Sequence, residues 1–226
     1  MEFAGSDEWK EAYPGAAVGL LAMRQVRNPD VDPALDMRSR LLEVELRRRY
    51  AGWDRAALKA SPILAAYHAY YRRFGKTYHV MLQLESVAFK GHPVGGTGSL
   101  VRAMLMAELD TLLLTAGHDQ QALRGSIGIR VATGEERTTR LDGKEQTLKD
   151  GDMYIADAEG VLSSILYGPD VRTRVVAGTH AVLYTVYAPP GIPPERVREH
   201  LSGLEDLVRL ASPKAVTETL HVEVAV

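Results

Sequence analysis

The sequence predicts an α+β fold: N-terminal helices, then a mixed, mostly antiparallel, β-sandwich-like sheet, with a late helix and a final strand. Three observations carry this expectation. Helical apolar spacing dominates from Asp32 to Leu114. Strand-like runs separated by turn formers dominate after Gly117. Pro193-Pro194 then opens one more helical stretch before an alternating tail. Helices gathered first and strands afterwards indicate segregated layers, not βαβ repeats.

The first element is a short apolar run, Ala16 to Met23, set between Tyr13-Pro14-Gly15 and Asn28-Pro29-Asp30. Its length and its turn-forming flanks predict a buried strand. Asp32-Pro33 starts a helix with an acidic cap and proline in the first turn, and Leu35, Leu42, Leu46 and Tyr50 mark its apolar face. Arg47, Arg48 and Arg49 fall near its C-terminus, where cations complement the helix dipole. A second helix starts at Ser61-Pro62 and ends near Phe74-Gly75, and Tyr78 to Lys90 continues the helical pattern. Ser99 is placed to cap a helix from Leu100 to about Leu114, closed by Gly117. Strands are expected at Ile127–Val131, Thr138–Leu141, Met153–Ala156, Val161–Tyr167, Ala181–Tyr187 and Leu220–Val224, with a helix from Glu195 to about Leu210.

At 226 residues the chain is expected to form a single domain over 1–226. Its 46% hydrophobic and 25% charged content are those of an ordinary globular protein. The absence of cysteine removes disulfides and thiolate chemistry, and fits a reducing compartment. Met1 to Glu8 has neither the basic start nor the apolar run of a signal peptide, and no apolar stretch approaches the ~20 residues of a membrane span. The expectation is a cytoplasmic protein without a membrane partner. A net charge of −2 argues against DNA and against extended nucleic-acid contact, leaving room only for local contact.

GxSxG, Walker-type, HExxH and strand-linked GxGxxG signatures are all missing, and seven scattered histidines give no metal-ligand spacing, so neither metal nor cofactor is expected. The segment from Ala107 to Asp119 stands out, because an expected helix runs into a glycine followed at once by His118-Asp119. An ordinary C-cap with dipole compensation explains these residues. A functional reading makes His118 a proton shuttle or a ligand donor, oriented by Asp119 or Glu108, with Thr115 and Gly117 beside the ligand. Glu108 lies either on the solvent face or in a pocket that would raise its pKa. The run Gly95-Gly96-Thr97-Gly98-Ser99 is either a flexible connector or an anion cradle at a helix N-terminus, with Gly95, Gly96, Thr97 and Ser99 as ligand-binding candidates.

Leu141-Asp142-Gly143-Lys144-Glu145, Leu148, Tyr154-Ile155-Ala156-Asp157, Gly160-Val161-Leu162 and Thr179-His180-Ala181-Val182-Leu183 together resemble the editing module of bacterial phenylalanyl-tRNA synthetase beta subunits. Tyr70-Tyr71-Arg72-Arg73-Phe74-Gly75 resembles the tyrosine-rich helix of stand-alone members of that group, and the likeness spans roughly residues 10 to 215. The resemblance implies a tRNA acceptor end or an amino-acid-like small molecule as partner. It further implies hydrolysis of mischarged aminoacyl esters in trans, or else a non-catalytic binding module; the His118-Asp119 pair at the expected helix end is this chain's own candidate to hold the water. The family's pocket histidine falls at Ala116, His118 falls on an aromatic position, and the turn Leu166–Asp170 lacks the family's glutamate.

Overall fold

The structure is a computed structural model that describes residues 2–226. Its centre is a four-stranded antiparallel sheet in the order β11-β2-β10-β3, formed by β2 (Ala17–Arg24), β3 (Leu114–Asp119), β10 (Ala181–Ala188) and β11 (Val216–Val224). A second sheet has the order β1-β4-β7-β8-β9, from β1 (Phe3–Gly5), β4 (Ile127–Val131), β7 (Met153–Ala156), β8 (Val161–Ser164) and β9 (Gly168–Pro169). Only the β1–β4 pair in it is parallel. A hairpin of β5 (Arg137–Thr139) and β6 (Glu145–Thr147) stands apart, carrying Leu141-Asp142-Gly143 at its tip. The fold is therefore the α+β arrangement that the sequence predicts.

The apolar run of β2 is buried along nearly its whole length because it is a central strand covered on both faces. One face of the central sheet takes α6 (Ser99–Thr111) and α7 (Pro194–Ala211). Gly19 permits α7 to approach, since a Cβ there would lie 2.6 Å from Val197 Cγ1. The opposite face meets the second sheet through Tyr187, whose hydroxyl donates to the Ser163 carbonyl of β8. Helices α1 (Asp7–Ala12), α2 (Pro33–Arg49), α3 (Arg55–Ala60), α4 (Pro62–Arg73) and α5 (His79–Leu84) surround these layers. Asp32 caps α2 through Leu35 N, as its placement before Pro33 predicts.

The tyrosines of α4 tie the sheets together at one end. Tyr67 donates to the Tyr187 carbonyl of β10 and accepts from Leu114 N of β3. Tyr70 donates to Asp152 Oδ1 (2.8 Å) and accepts from Met153 N (2.7 Å), while Tyr71 donates to the Ile165 carbonyl. Each hydroxyl satisfies buried backbone or carboxyl groups that have no water to turn to. The tyrosine-rich helix thus acts as an architectural clamp.

Two expectations about α6 are corrected. Ser99 does not cap it: Gly98 is the N-cap residue, and the Asn28 side chain accepts from Leu100 N (2.9 Å). The helix stops at Thr111, because Leu112 takes a left-handed conformation (φ 66°) with its carbonyl bound by the Tyr78 hydroxyl. Gly117 is consequently not a helix cap but the middle of strand β3.

Candidate functional site

Placing residues 114–119 on a strand separates the residues that a helix end would have gathered. Side chains alternate along β3. Thr115 and Gly117 face α6 and α7, whereas Ala116 and His118 face the second sheet. Glu108 and His118 therefore lie on opposite sides of the same sheet and do not form one constellation.

His118 is fully buried. Its Nδ1 hydrogen-bonds Thr173 Oγ1 (2.8 Å) and its Nε2 hydrogen-bonds Ser163 Oγ (3.2 Å). Burial first, then the nearby Arg172 guanidinium, pushes the imidazole down to about 4, so it is neutral at physiological pH. Asp119 does not orient His118. Its carboxylate accepts from Gln121 N (3.0 Å) and Thr179 Oγ1 (2.7 Å), organising the turn before β10. Glu108 is buried and accepts from Thr115 N (2.7 Å); burial raises it to about 8, against the lowering effect of that N–H. Thr115 Oγ1 meets His200 Nε2 (2.8 Å), and Thr111 Oγ1 meets His200 Nδ1 (2.6 Å). His200 is neutral because burial pushes it down to about 3.

Gly117 opens onto a cavity of about 270 Å³ between α6 and the β3 edge of the central sheet. Leu100, Val101 and Met104 of α6 form one wall, and Tyr184, the register partner of Gly117 on β10, forms another. Tyr184 is positioned by donating from its hydroxyl to the Leu100 carbonyl (3.0 Å). Leu141 from the hairpin tip, Pro169, Arg174 and Val175 close the remaining side, with Thr97 at the head of α6. Of the ligand-binding candidates, Thr97 and Gly117 line this cavity, and Gly95, Gly96, Ser99 and Thr115 do not. Ser99 is buried, with its hydroxyl donating to the Arg27 carbonyl (3.2 Å) and its N–H to the Pro29 carbonyl (2.9 Å).

Arg174 is exposed, and among the described residues its guanidinium makes no hydrogen bond or ion pair. The segment that presents it is pinned by Asp157, the acidic residue of the Tyr154–Asp157 motif. Arg172 forks onto Asp157 at 2.8 and 3.2 Å, and Asp157 also accepts from Arg124 N and Glu159 N. Against the cost of burial, these donors hold its carboxyl below the usual range. Asp170 accepts from Thr138 Oγ1 and Thr139 N and so anchors the hairpin over the cavity. Leu141 could have been found from its motif; Met104, Arg174, Val175 and Tyr184 carry no local signal. Among the described residues, no group of three or more His, Asp or Glu side chains is placed to hold a metal ion, and no helix is long and apolar enough to cross a membrane.

The geometry thus defines an α+β protein with a small, mostly apolar cavity and one unpaired cation beside it. The chain resembles phenylalanyl-tRNA synthetase beta subunits, the family to which its motifs point. A stretch of 69 residues, 30% of the chain, is 32% identical to the phenylalanine–tRNA ligase beta subunit of Mycoplasma pneumoniae and covers 9% of it. A stretch of 66 residues, 29% of the chain, is 35% identical to the same subunit of Tropheryma whipplei and covers 7% of it. The match thus spans less than a tenth of either relative's length. An N-terminal fragment of the Pyrococcus horikoshii phenylalanyl-tRNA synthetase beta subunit aligns over 96% of this chain and 54% of its own, at 13% identity and a TM-score of 0.49. No family model matches.

Proposed function

We propose that this protein binds an aminoacyl group, either an amino-acid-like small molecule or the aminoacylated 3′ end of a tRNA. The carrying observation is the Gly117 cavity, which has an apolar wall for a side chain and an unpaired Arg174 for a carboxylate or phosphate. Its volume lies just below the usual range for drug-sized ligands and suits one amino-acid residue better than a nucleotide. The resemblance to a tRNA synthetase subunit supports the same class of ligand.

Non-catalytic binding has more geometric support than hydrolysis. The cavity lining contains no carboxylate or imidazole, and its titratable groups are Arg174 and Tyr184. The Tyr184 hydroxyl is held protonated by burial. Hydrolysis in trans of mischarged aminoacyl esters rests on the resemblance alone.

Isothermal titration with phenylalanine and tyrosine, which keep the free carboxylate, and with a 5′-phosphorylated 3′-aminoacylamino-adenosine analogue tests the proposal. Saturable binding is expected, weakened roughly tenfold or more, about 1.4 kcal/mol, by Arg174→Ala and abolished by Gly117→Val. Equal affinity of wild type and Gly117→Val would remove the cavity from consideration. Incubation with a panel of mischarged tRNAs decides the catalytic question; release faster in wild type than in a folded His118→Gln variant would restore hydrolysis.

A further inference from the structure

A second face of the molecule gathers cations without matching acids. Lys59 of α3 and His68, Arg72 and Arg73 of α4 surround a hollow of about 410 Å³, with only Ala65 and Ala69 between them. The cluster continues past the end of α4. The Lys149 ammonium donates to the Phe74 carbonyl (2.6 Å), and that of Lys76 sits 4.4 Å from the centre of the Tyr167 ring. The Arg73 guanidinium lies over the rings of Tyr13, Tyr70 and Phe74. Desolvation, followed by repulsion from Lys149 and Arg140, lowers the Lys76 pKa, so these three cations share one neighbourhood.

The acids nearby do not neutralise this face. Among the described residues Lys59, Arg72, Arg73, Lys76 and Lys149 make no ion pair. Asp142 pairs with Arg140 and Lys144, and Asp152 is buried beneath the patch against Tyr70. Asp150 is the exposed carboxylate beside Lys149. The chain as a whole carries a net charge of −2, so the clustering is local and does not reflect general basicity. Like charges held together raise the energy of the free protein, and an anion relieves them. Planar guanidinium forks and ammonium groups side by side, with half-buried Tyr167 and Phe74 among them, match phosphate oxygens better than isolated carboxylates.

We propose that this face binds successive phosphate groups of a polyanion, whether a phosphodiester backbone or a free polyphosphate. It goes beyond the cavity reading and does not rest on it. The two sites nonetheless adjoin: the hairpin tip gives Leu141 to the cavity and Arg140 to the neighbourhood of Lys76.

The test is fluorescence anisotropy of the full chain with a labelled twelve-nucleotide single-stranded RNA, at 50 and 200 mM salt, with inorganic tripolyphosphate as competitor. If Lys59, Arg72, Arg73, Lys76 and Lys149 all engage, affinity falls roughly 100-fold between the two salt concentrations. The double variant Lys59→Gln with Arg72→Gln removes two exposed cations. It should lower the slope of log affinity against log salt by about 1.4 and weaken binding at least tenfold at 50 mM. A reference pair, Arg198→Gln with Lys214→Gln, changes the net charge equally elsewhere and should bind like wild type. Unchanged melting temperatures in both pairs ensure that lost binding is not lost fold. Displacement of the RNA by tripolyphosphate shows that the two share the site, and the tighter of the two, from the direct RNA titration and the competition constant at 50 mM, identifies its source; either order supports the proposal. Equal loss in the two pairs, no loss in the first, or no binding of either probe at 50 mM overturns it.

Discussion

A methyl group added at Gly117 would meet Tyr184 Cε1 and Val175 Cγ2 at 3.4 Å and Met104 Sδ at 3.5 Å, which are ordinary van der Waals distances. The backbone there is a regular strand, so alanine introduces no conformational strain. Gly117→Ala should therefore raise stability by about 0.4–1 kcal/mol through the unfolded state while shrinking the cavity. A thermal melt together with a ligand titration checks both halves; a Tm that falls would show the strand cannot accept a side chain. Next along the strand, His118 has the opposite character. His118→Ala leaves the hydroxyls of Thr173 and Ser163 without their shared partner and opens a void between the sheets. Destabilisation of about 2–4 kcal/mol is expected, with ligand affinity retained below the melting range. Loss of affinity without loss of stability would return His118 to the binding site.

At the level of elements, the clamp made by α4 offers a direct measurement. Tyr67→Phe removes the acceptor for Leu114 N and the donor to the Tyr187 carbonyl, both buried at the edge where β3 meets β10. A loss of about 1–3 kcal/mol in urea unfolding is expected, with faster amide exchange at Leu114 than elsewhere on β3. Unchanged exchange at Leu114 would mean that water replaces the hydroxyl. The same clamp shows why parts of the fold were legible in the sequence and others were not. Strands β2 and β10 and helices α2, α4 and α7 announce themselves through local signals: apolar runs, Asp32-Pro33, Ser61-Pro62 and Pro193-Pro194. The end of α6 does not. Leu112-Leu113-Leu114 continues a helical apolar pattern, and only tertiary partners, the hydroxyls of Tyr78 and Tyr67, stop the helix and start β3. A helix ending three residues earlier than expected puts His118 on a strand face, and a one-residue phase difference then sends Gly117 and His118 to opposite sides. The segment singled out from sequence does border the cavity, but through its glycine. Arg174 and Tyr184 reach it only by way of sheet register and the turn pinned by Asp157.

Across the whole molecule, two buried carboxyls and two buried imidazoles carry the largest shifts among its acids and histidines and dominate the dependence of stability on pH. Burial raises Glu108 to about 8 and Asp152 to about 7, above the ordinary carboxyl values of 4.5 and 3.8. The folded state therefore holds protons that the unfolded chain has released, and stability falls as pH rises through that window. Burial lowers His118 to about 4 and His200 to about 3, below the ordinary 6.5, so the unfolded chain binds the extra protons and stability falls as pH drops below about 6.5. Between about 4.5 and 6.5 the two carboxyls and two imidazoles oppose one another, giving a plateau. Above 6.5 only the carboxyls act, and raising the pH from 6.5 to 8 should remove on the order of 2 kcal/mol. Below 4.5 the imidazoles act together with Asp157, whose carboxyl is held below the usual range, and acid destabilises. Urea unfolding at pH 6 and pH 8 measures the upper limb. Glu108→Gln keeps an oxygen for Thr115 N without a titrating proton, so it should already exceed wild type at pH 6, by about 2 kcal/mol, and the margin should widen at pH 8. A wild type that gains stability from pH 6 to 8, or a Glu108→Gln profile parallel to it, would show that Glu108 is solvated or partnered in solution and that the helix-facing side of β3 is more open than its packing indicates.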